Sequence, residues 1–175
     1  MTKIYLIGYM ASGKSRLGRE LSLVTGFSFL DLDEVFEERY RIGILDFFEK
    51  YGEPVFRQLE HDLLLETEKL DHTIIATGGG TPCSVENIGF IKQNGASIYV
   101  RMEVRDLADR LRKIKRQRPL LIDVPSNELE SFIKNQLEER EIFYLKADHV
   151  VQAPLADLAP VVQLIRSISD GSFTS

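Results

Sequence analysis

Cysteine is almost missing from this sequence, which contains Cys83 and no other. A single cysteine excludes an internal disulfide and any metal site built from several thiolates. The absence of disulfides agrees with a reducing compartment, so we expect a cytoplasmic protein. Cys83 itself is expected to be a small, half-buried packing residue rather than a catalytic thiol.

Long apolar runs are missing too. No stretch approaches the roughly 18 apolar residues of a membrane-spanning helix, and the first residues lack the apolar core and cleavage site of a secretory signal. The formal net charge of −5 argues against a general affinity for nucleic acid. We therefore expect neither a membrane nor a nucleic acid as a partner, and without an apolar repeat we expect a monomer.

Strand and helix patterns alternate along the chain. Its 175 residues suffice for one core but not for two. Short β-rich runs lie at residues 3–7, 27–31, 73–77, 97–101 and 148–152. Between them, apolar residues recur three and four positions apart, as on the buried face of a helix. This alternation predicts a doubly wound α/β domain, a five-stranded parallel sheet with helices on both faces.

One segment breaks the alternation. Residues 33–70 contain two or three helical patterns before the next strand, punctuated by Gly43 and by "GEP" at 52–54. Insertions of this kind usually carry a binding site, so we assign substrate binding to residues of about 33–61. At the other end, "SDGSFTS" (169–175) predicts a frayed tail.

A phosphate-binding loop is predicted by "GYMASGKS" at residues 8–15, which matches G-x-x-x-x-G-K-[ST]. It stands directly after a β-rich run and directly before an amphipathic helix, where backbone N–H groups can bind phosphate oxygens. Lys14 is expected to reach the β and γ phosphates of ATP and Ser15 to bind Mg²⁺. The alternative, a chance glycine turn, does not require this strand and helix around it.

Two further motifs follow strands whose carboxyl ends form the ligand-binding edge of such sheets. In "FLDLDE", Asp31 and Asp33 lie at the end of the strand pattern. Alternation along the strand would let one carboxylate face a metal ion and the other face an acceptor hydroxyl. Alternatively, Asp33 merely caps the next helix. In "TGGGTP" (77–82), three glycines permit close backbone approach to a ligand or form a simple tight turn.

Cationic side chains offer a third feature. Arg57 lies in "EPVFRQLEHDLLLE", one turn before Glu60, and Arg140 lies in "LEEREIFY". Both could bind a carboxylate or phosphate in bidentate fashion or be solvated surface groups. Six basic residues at 110–118 indicate a nucleic-acid patch, a solvated helix end, or the cationic lid that a kinase closes over the γ phosphate. Since Pro119 ends the helical pattern, we predict a lid over about residues 112–125.

Together these motifs resemble the shikimate kinase family. The resemblance runs from Lys3 to about Ile168. It rests on "GYMASGKS", "DLDEVFEER", "GEPVFRQLE", "TGGGTP" and "RPLL", in that order. Many kinases share the first motif, whereas the other four are more specific. The resemblance implies a P-loop kinase fold and transfer of the γ phosphate of ATP to the 3-hydroxyl of shikimate, a step of chorismate and aromatic amino acid biosynthesis.

For the nucleotide, the resemblance implies that Lys14 and Arg118 clamp the phosphates. Ser15 would bind Mg²⁺ directly and Asp31 through water. Further nucleotide contacts are implied for Ala11, Ser12, Gly13, Arg16 and Arg110. Arg112 is an alternative to Arg110 beside the adenine, and the loop at 152–154 would touch its other face. Two of these positions depart from the family, which usually has glycine at Ala11 and serine or threonine at Arg16.

For the acceptor, the resemblance implies that Asp33 accepts hydrogen bonds from the shikimate hydroxyls. Arg57 and Arg140 would bind its carboxylate, and Glu60 would orient Arg57. The substrate ring would pack against the backbone of three glycines, Gly78, Gly79 and Gly80. "REIFY" at 140–144 departs from the family's R-x-P-L-Y, although Tyr144 keeps the register.

The sequence motifs leave two other functions open. One is a different P-loop kinase, for gluconate or a nucleotide. Paired arginines with D-x-D favour a polyhydroxy carboxylate, and no aromatic or amide set is plainly built to hold a base. The other is an ATP-binding module that binds nucleic acid through residues 110–118. The presence of Lys14, Asp33 and Arg118 argues against it.

Overall fold

The computed structural model describes residues 2–114, 121 and 124–170. Its centre is a parallel sheet in the order β2-β3-β1-β4-β5. The strands are β1 (Lys3–Ile7), β2 (Ser28–Asp31), β3 (Thr73–Ala76), β4 (Ala96–Met102) and β5 (His149–Ala153). The predicted five-stranded parallel sheet is confirmed, and every predicted strand end agrees within one residue.

Helices connect the strands. They are α1 (Lys14–Thr25), α2 (Leu32–Tyr40), α3 (Ile44–Tyr51), α4 (Glu53–Glu66), α5 (Val85–Asn94), α6 (Val104–Ile114), α7 (Leu129–Tyr144) and α8 (Ala159–Ser169), with a short 3₁₀ turn at Thr67–Lys69. The chain leaves β1 toward β2 but leaves β3 in the opposite direction, toward β4. Because parallel crossovers are right-handed, this reversal puts helices on both faces of the sheet. The doubly wound fold is confirmed, and the insertion contains three helices, α2 to α4.

Burial explains the strand sequences. Every residue of β1 and β3 is buried, in keeping with their nearly continuous apolar sequences "KIYLI" and "TIIA". The edge strand β5 alternates between half-buried and exposed positions before the buried Ala153. Central strands that are covered on both faces are thus the most apolar ones. No helix in the described part of the chain is long and apolar enough to cross a membrane.

Two predicted segments lie largely outside the described residues and stay predictions there. Residues 112–114, assigned to the lid, are the last turn of α6, and most of the remaining lid, including Arg118, lies outside the described residues. The tail was predicted to fray from residue 169, but α8 continues to Ser169, and residues 171–175 lie outside the described residues.

Candidate active site

The phosphate-binding loop leaves β1 at the point where the chain reverses its direction across the sheet. Gly8 and Gly13 have φ angles of 141° and 99°, which L side chains rarely adopt. A β carbon on Gly8 would also lie 2.7 Å from the carbonyl oxygen of Val100. Ala11 holds a left-handed φ of 61° despite its methyl group. Glycine is therefore needed at two positions of the loop. Ala11, which stands where the family usually has glycine, is a third residue of the loop with a left-handed φ.

Two side chains of this loop suit an anion. The ammonium group of Lys14 is buried and donates 2.8 Å hydrogen bonds to the carbonyl oxygens of Gly8 and Tyr9, so it lies inside the curve of the loop. The Ser12 hydroxyl is buried and has no hydrogen-bond partner within the described residues. A buried hydroxyl without a partner costs free energy, and a phosphate oxygen would satisfy it. These groups fit a nucleotide phosphate chain.

A cavity of about 300 Å³ continues from the loop along the start of α1. Arg110 lines it and donates to the carbonyl oxygen of Ala11 at 3.1 Å. Arg112 instead pairs with Asp109 and Glu130, so of the two candidates for the adenine contact Arg110 is the one that lines this cavity. Other residues around the cavity are Ser12, Gly13, Arg16, Ala153, Pro154 and Leu155.

Arg16 lies at the rim of this cavity. Its side chain is 85% exposed, and its Nε pairs with Glu20 one helical turn later at 2.7 Å. An exposed pair of this kind contributes little to stability. The side chain can therefore leave Glu20 at low cost when an anionic ligand lies nearby.

The predicted acceptor residues converge on a second, smaller cavity of about 60 Å³. It is lined by Asp33, Arg57, Gly78, Gly79, Gly80 and Arg140, among others. A wider groove of about 580 Å³ opens beside it and shares Arg57, Glu60, Gly80 and Arg140 with it. Carboxylate, guanidinium and bare backbone thus face one cavity, which is open to solvent along the groove.

The two aspartates do not alternate along a strand, because α2 begins at Leu32. Asp31 is the N-cap of α2, and its Oδ1 accepts a 3.0 Å hydrogen bond from the Asp33 amide. The alternative role of Asp33 as the cap is therefore wrong, since Asp31 performs it. From the first turn of α2 the Asp33 carboxylate reaches the glycine run, where a β carbon on Gly78 would lie 3.0 Å from Asp33 Oδ1.

Arg57 is held by two glutamates. Its Nη1 donates to Glu60 at 2.7 Å, and its Nη2 and Nε donate to Glu53 at 2.9 and 3.1 Å. The other oxygen of Glu60 accepts a 2.6 Å hydrogen bond from Thr81, which follows the glycine run. Burial acts to lower the pKa of Arg57, but the two glutamates outweigh it and raise that pKa. The guanidinium therefore stays charged and fixed in direction.

Arg140 is the second cation of the cavity and comes from α7. Its guanidinium lies 5.6 Å from the ring centroid of Tyr9, within the range of a cation–π contact. Within residues 2–114, 121 and 124–170, no carboxylate forms an ion pair with it. An anionic ligand would supply that missing partner.

Comparison with known proteins agrees with this geometry. The model of the shikimate kinase family matches residues 10–168. A shikimate kinase of Parabacteroides distasonis is 40% identical over 147 residues, which are 84% of this chain and 85% of that protein. The chain belongs to the shikimate kinase family.

Solved structures of this family have the same fold. The crystal structure of the shikimate kinase of Bacteroides thetaiotaomicron superposes with a TM-score of 0.85 at 34% identity, covering 97% of this chain and 98% of the other. The Acinetobacter baumannii shikimate kinase in complex with shikimate gives 0.87 at 29% identity, covering 100% and 96%. Membership in this kinase family makes the chain an ATP-dependent kinase with a P-loop fold.

Several residues of the site were not predicted. Glu53 stands four residues before Arg57, a spacing at which helical ion pairs form, so the sequence held a signal for it. Phe48 and Phe56 line the acceptor cavity. Their positions in the helical insertion gave no such signal, because an aromatic residue there fits the core equally well. Thr81 lies within the motif "TGGGTP", but its place in the sequence does not indicate a hydrogen bond to Glu60.

Proposed function

We propose that the protein transfers the γ-phosphoryl group of ATP to the 3-hydroxyl of shikimate, giving shikimate 3-phosphate and ADP. The observation that carries this proposal is the convergence of Asp33, Arg57, the three glycines and Arg140 on one cavity beside the phosphate-binding loop. A β carbon on Gly79 would lie 3.0 Å from the amide nitrogen of Met10, so the glycine run packs directly on that loop. A bound acceptor and the γ phosphate of ATP would therefore lie next to each other.

On the acceptor side, Arg57 and Arg140 bind the carboxylate of shikimate. A guanidinium offers a planar pair of donors that matches a carboxylate. Asp33 accepts a hydrogen bond from the reacting hydroxyl and orients it toward the phosphate. The glycine backbone supports the ring. Side chains are excluded there because a β carbon on Gly78 would lie 2.4 Å from Glu60 and one on Gly80 would lie 2.5 Å from Arg57, so these site residues would be displaced.

On the donor side, Lys14 and the N–H groups of the loop bind the phosphates. The Ser12 hydroxyl donates a hydrogen bond to one of the phosphate oxygens. Arg110 contacts the adenine. Arg118, outside the described residues, is proposed to act as a second phosphate clamp from the lid.

Oxygen donors suited to Mg²⁺ lie beside the loop. Ser15, in the first turn of α1, would bind the ion directly. Asp31 would hold one of its water ligands, since Asp31 is buried and its Oδ1 already accepts from the Asp33 amide. The ion would neutralise charge on the β and γ phosphates.

Positioning and charge neutralisation supply most of the catalysis in this proposal. Phosphoryl transfer passes through a loose transition state, in which the attacking oxygen has little bond to phosphorus. Holding the hydroxyl in line with the γ phosphate therefore matters more than removing its proton early. Asp33 acts first as an orienting group.

The test is ADP release in the presence of ATP and Mg²⁺ with one candidate acceptor at a time. Shikimate should stimulate release far above the rate without acceptor, whereas gluconate and nucleoside monophosphates should not. Stimulation by gluconate or by a nucleotide alone would assign the protein to another kinase activity. Release that no acceptor stimulates would contradict the proposal.

We also propose that the protein acts as a cytoplasmic monomer with one domain and no nucleic-acid partner. A site assembled from P-loop, insertion and α7 of one chain needs no second subunit. Sedimentation at micromolar concentration should give a mass near 20.0 kDa. A dimer mass would contradict the monomer.

A further inference from the structure

The last residue of α7 reaches the glycine run. Tyr144 is fully buried, and its hydroxyl donates a 2.6 Å hydrogen bond to the carbonyl oxygen of Gly79. Its ring packs on that of Tyr99, with centroids 5.1 Å apart. Burial raises the pKa of Tyr144 well above the usual value for tyrosine, so the hydroxyl keeps its proton at neutral pH. A neutral, rigid donor is thus fixed against the middle of the glycine run.

The carbonyl oxygen of Gly79 differs from those of Gly78 and Gly80 in its hydrogen-bond donor. The oxygens of Gly78 and Gly80 accept hydrogen bonds from nearby amides, those of Thr81 and Cys83, at 3.2 and 2.9 Å. The Gly79 oxygen instead accepts from two side chains, a short 2.6 Å hydrogen bond from the Tyr144 hydroxyl and a long 3.7 Å contact from the Cys83 thiol. Glycine has no β carbon to restrict its φ and ψ angles, and a thiol is a weak donor, so the Tyr144 hydroxyl is the main contact that fixes this peptide.

Fixing that oxygen also fixes a donor. The peptide group between Gly79 and Gly80 is planar, so its C=O and N–H point in opposite directions. The oxygen is directed to Tyr144, and the N–H of Gly80 has no hydrogen-bond partner within the described residues. Gly80 also lines the acceptor cavity. Rotation of this peptide would change both the shape of that wall and the direction of its N–H.

The geometry points to Tyr144 as a positioning residue for the acceptor: its hydroxyl holds the Gly79–Gly80 peptide in the orientation that lets the glycine backbone bind shikimate. This inference rests on the proposed function. Arg140 lies one helical turn before Tyr144 on α7 and lines the same cavity. One helix thus supplies both a cation for the acceptor and the hydrogen bond that fixes the glycine wall beside the nucleotide loop.

The test is the variant Tyr144→Phe, which removes the hydroxyl and keeps the ring. Tyr5→Phe is the matched control, because Tyr5 is equally buried and its hydroxyl bonds Thr67 at 2.8 Å, near the amino ends of the strands. Loss of one neutral hydrogen bond should raise the KM for shikimate about threefold to tenfold in Tyr144→Phe. The KM for ATP should change less than about twofold, and Tyr5→Phe should leave both KM values unchanged.

Each outcome decides the question. Equal KM values for shikimate in the two variants would overturn the inference, and so would a parallel rise of both KM values in Tyr144→Phe, which indicates general loosening. If Tyr144→Phe fails to fold while Tyr5→Phe folds, the hydroxyl is a stability element and the inference is wrong. Failure of the proposed function is distinct, since the unsubstituted protein itself would then release no ADP with shikimate.

Discussion

The backbone of Gly80 and the guanidinium of Arg57 are in direct contact. A β carbon on Gly80 would lie 2.5 Å from Nη1 and 2.6 Å from Cζ of Arg57. Real side chains do not tolerate such distances, so one of the two groups would have to move. Because Arg57 is also bound to Glu53 and Glu60, its position depends on contacts from both sides. The absence of a side chain at residue 80 is therefore part of how Arg57 is oriented.

The variant Gly80→Ala should consequently impair acceptor binding. A displaced Arg57 loses a charge-assisted contact, which is worth about 1.5–3 kcal/mol, so the KM for shikimate should rise roughly tenfold or more. Gly89→Ala is the control, because a β carbon there meets nothing within 4 Å and its φ is not in the left-handed range. Steady-state kinetics with each substrate varied gives the comparison. An unchanged KM for shikimate in Gly80→Ala would contradict this account of Arg57.

Removing the guanidinium itself should have a larger effect on the same constant. Arg57→Ala should raise the KM for shikimate roughly tenfold to a hundredfold, because a carboxylate would be left without its partner. The KM for ATP should stay nearly constant. Arg39→Ala is the matched control, since Arg39 also pairs with a glutamate, Glu66, but is exposed and absent from the acceptor cavity. If the two variants behave alike, Arg57 does not bind the acceptor.

Ala11 tests how the nucleotide loop tolerates a methyl group. The φ of 61° at residue 11 costs alanine about 1 kcal/mol relative to glycine in the folded protein. Glycine would remove this cost, but it would also raise the conformational entropy of the unfolded chain, which destabilises the folded protein by a similar free energy. Ala11→Gly should therefore leave the free energy of unfolding nearly unchanged and the KM for ATP within about twofold. Ala108→Gly, in the buried face of α6, should lose at least about 1 kcal/mol. Equal losses in urea unfolding of both variants would show that residue 11 is not strained.

Tyr9 links stability to alkaline pH. Burial raises its pKa from 10.0 to about 12, although the nearby charge of Arg140 acts in the opposite direction. Since the folded pKa lies above the unfolded one, this stabilisation is complete below pH 10 and is lost between pH 10 and 12. By pH 11 the loss should be about 1 kcal/mol.

The variant Tyr9→Phe removes this titration together with the hydrogen bond to Gln136. It should be less stable than the unsubstituted protein at pH 8, but its Tm should fall less between pH 8 and pH 11. Thermal unfolding of both proteins across this range makes the comparison. Parallel declines of the two Tm values would mean that Tyr9 does not titrate in the way its burial implies.

Local patterns predicted the sheet well, because central strands of a parallel sheet are apolar on both faces, and "KIYLI" and "TIIA" are short, nearly continuous apolar runs of that kind. The same patterns misplaced Asp33. Asp31 followed by Glu34 three residues later is a helix-start pattern. Giving it priority over strand alternation would have placed Asp33 in the first turn of α2, as observed.

Contacts between distant parts of the chain were not predictable in this way. The stacking of Arg140 on Tyr9 and the hydrogen bond from Tyr144 to Gly79 join segments far apart in sequence. Both depend on how α7 packs against the sheet, which no local pattern specifies. The resemblance to a family supplied Arg140 as a site residue, whereas Tyr144 entered only as a marker of register.

The central claim is that the γ phosphate of ATP goes to the 3-hydroxyl of shikimate. Its most direct test is to incubate the protein with ATP, Mg²⁺ and shikimate, quantify ADP, and identify the phosphorylated product by ³¹P and ¹H NMR. The account predicts equal amounts of ADP and shikimate 3-phosphate. ADP formed without phosphorylated shikimate, or a phosphate on another hydroxyl, would contradict it.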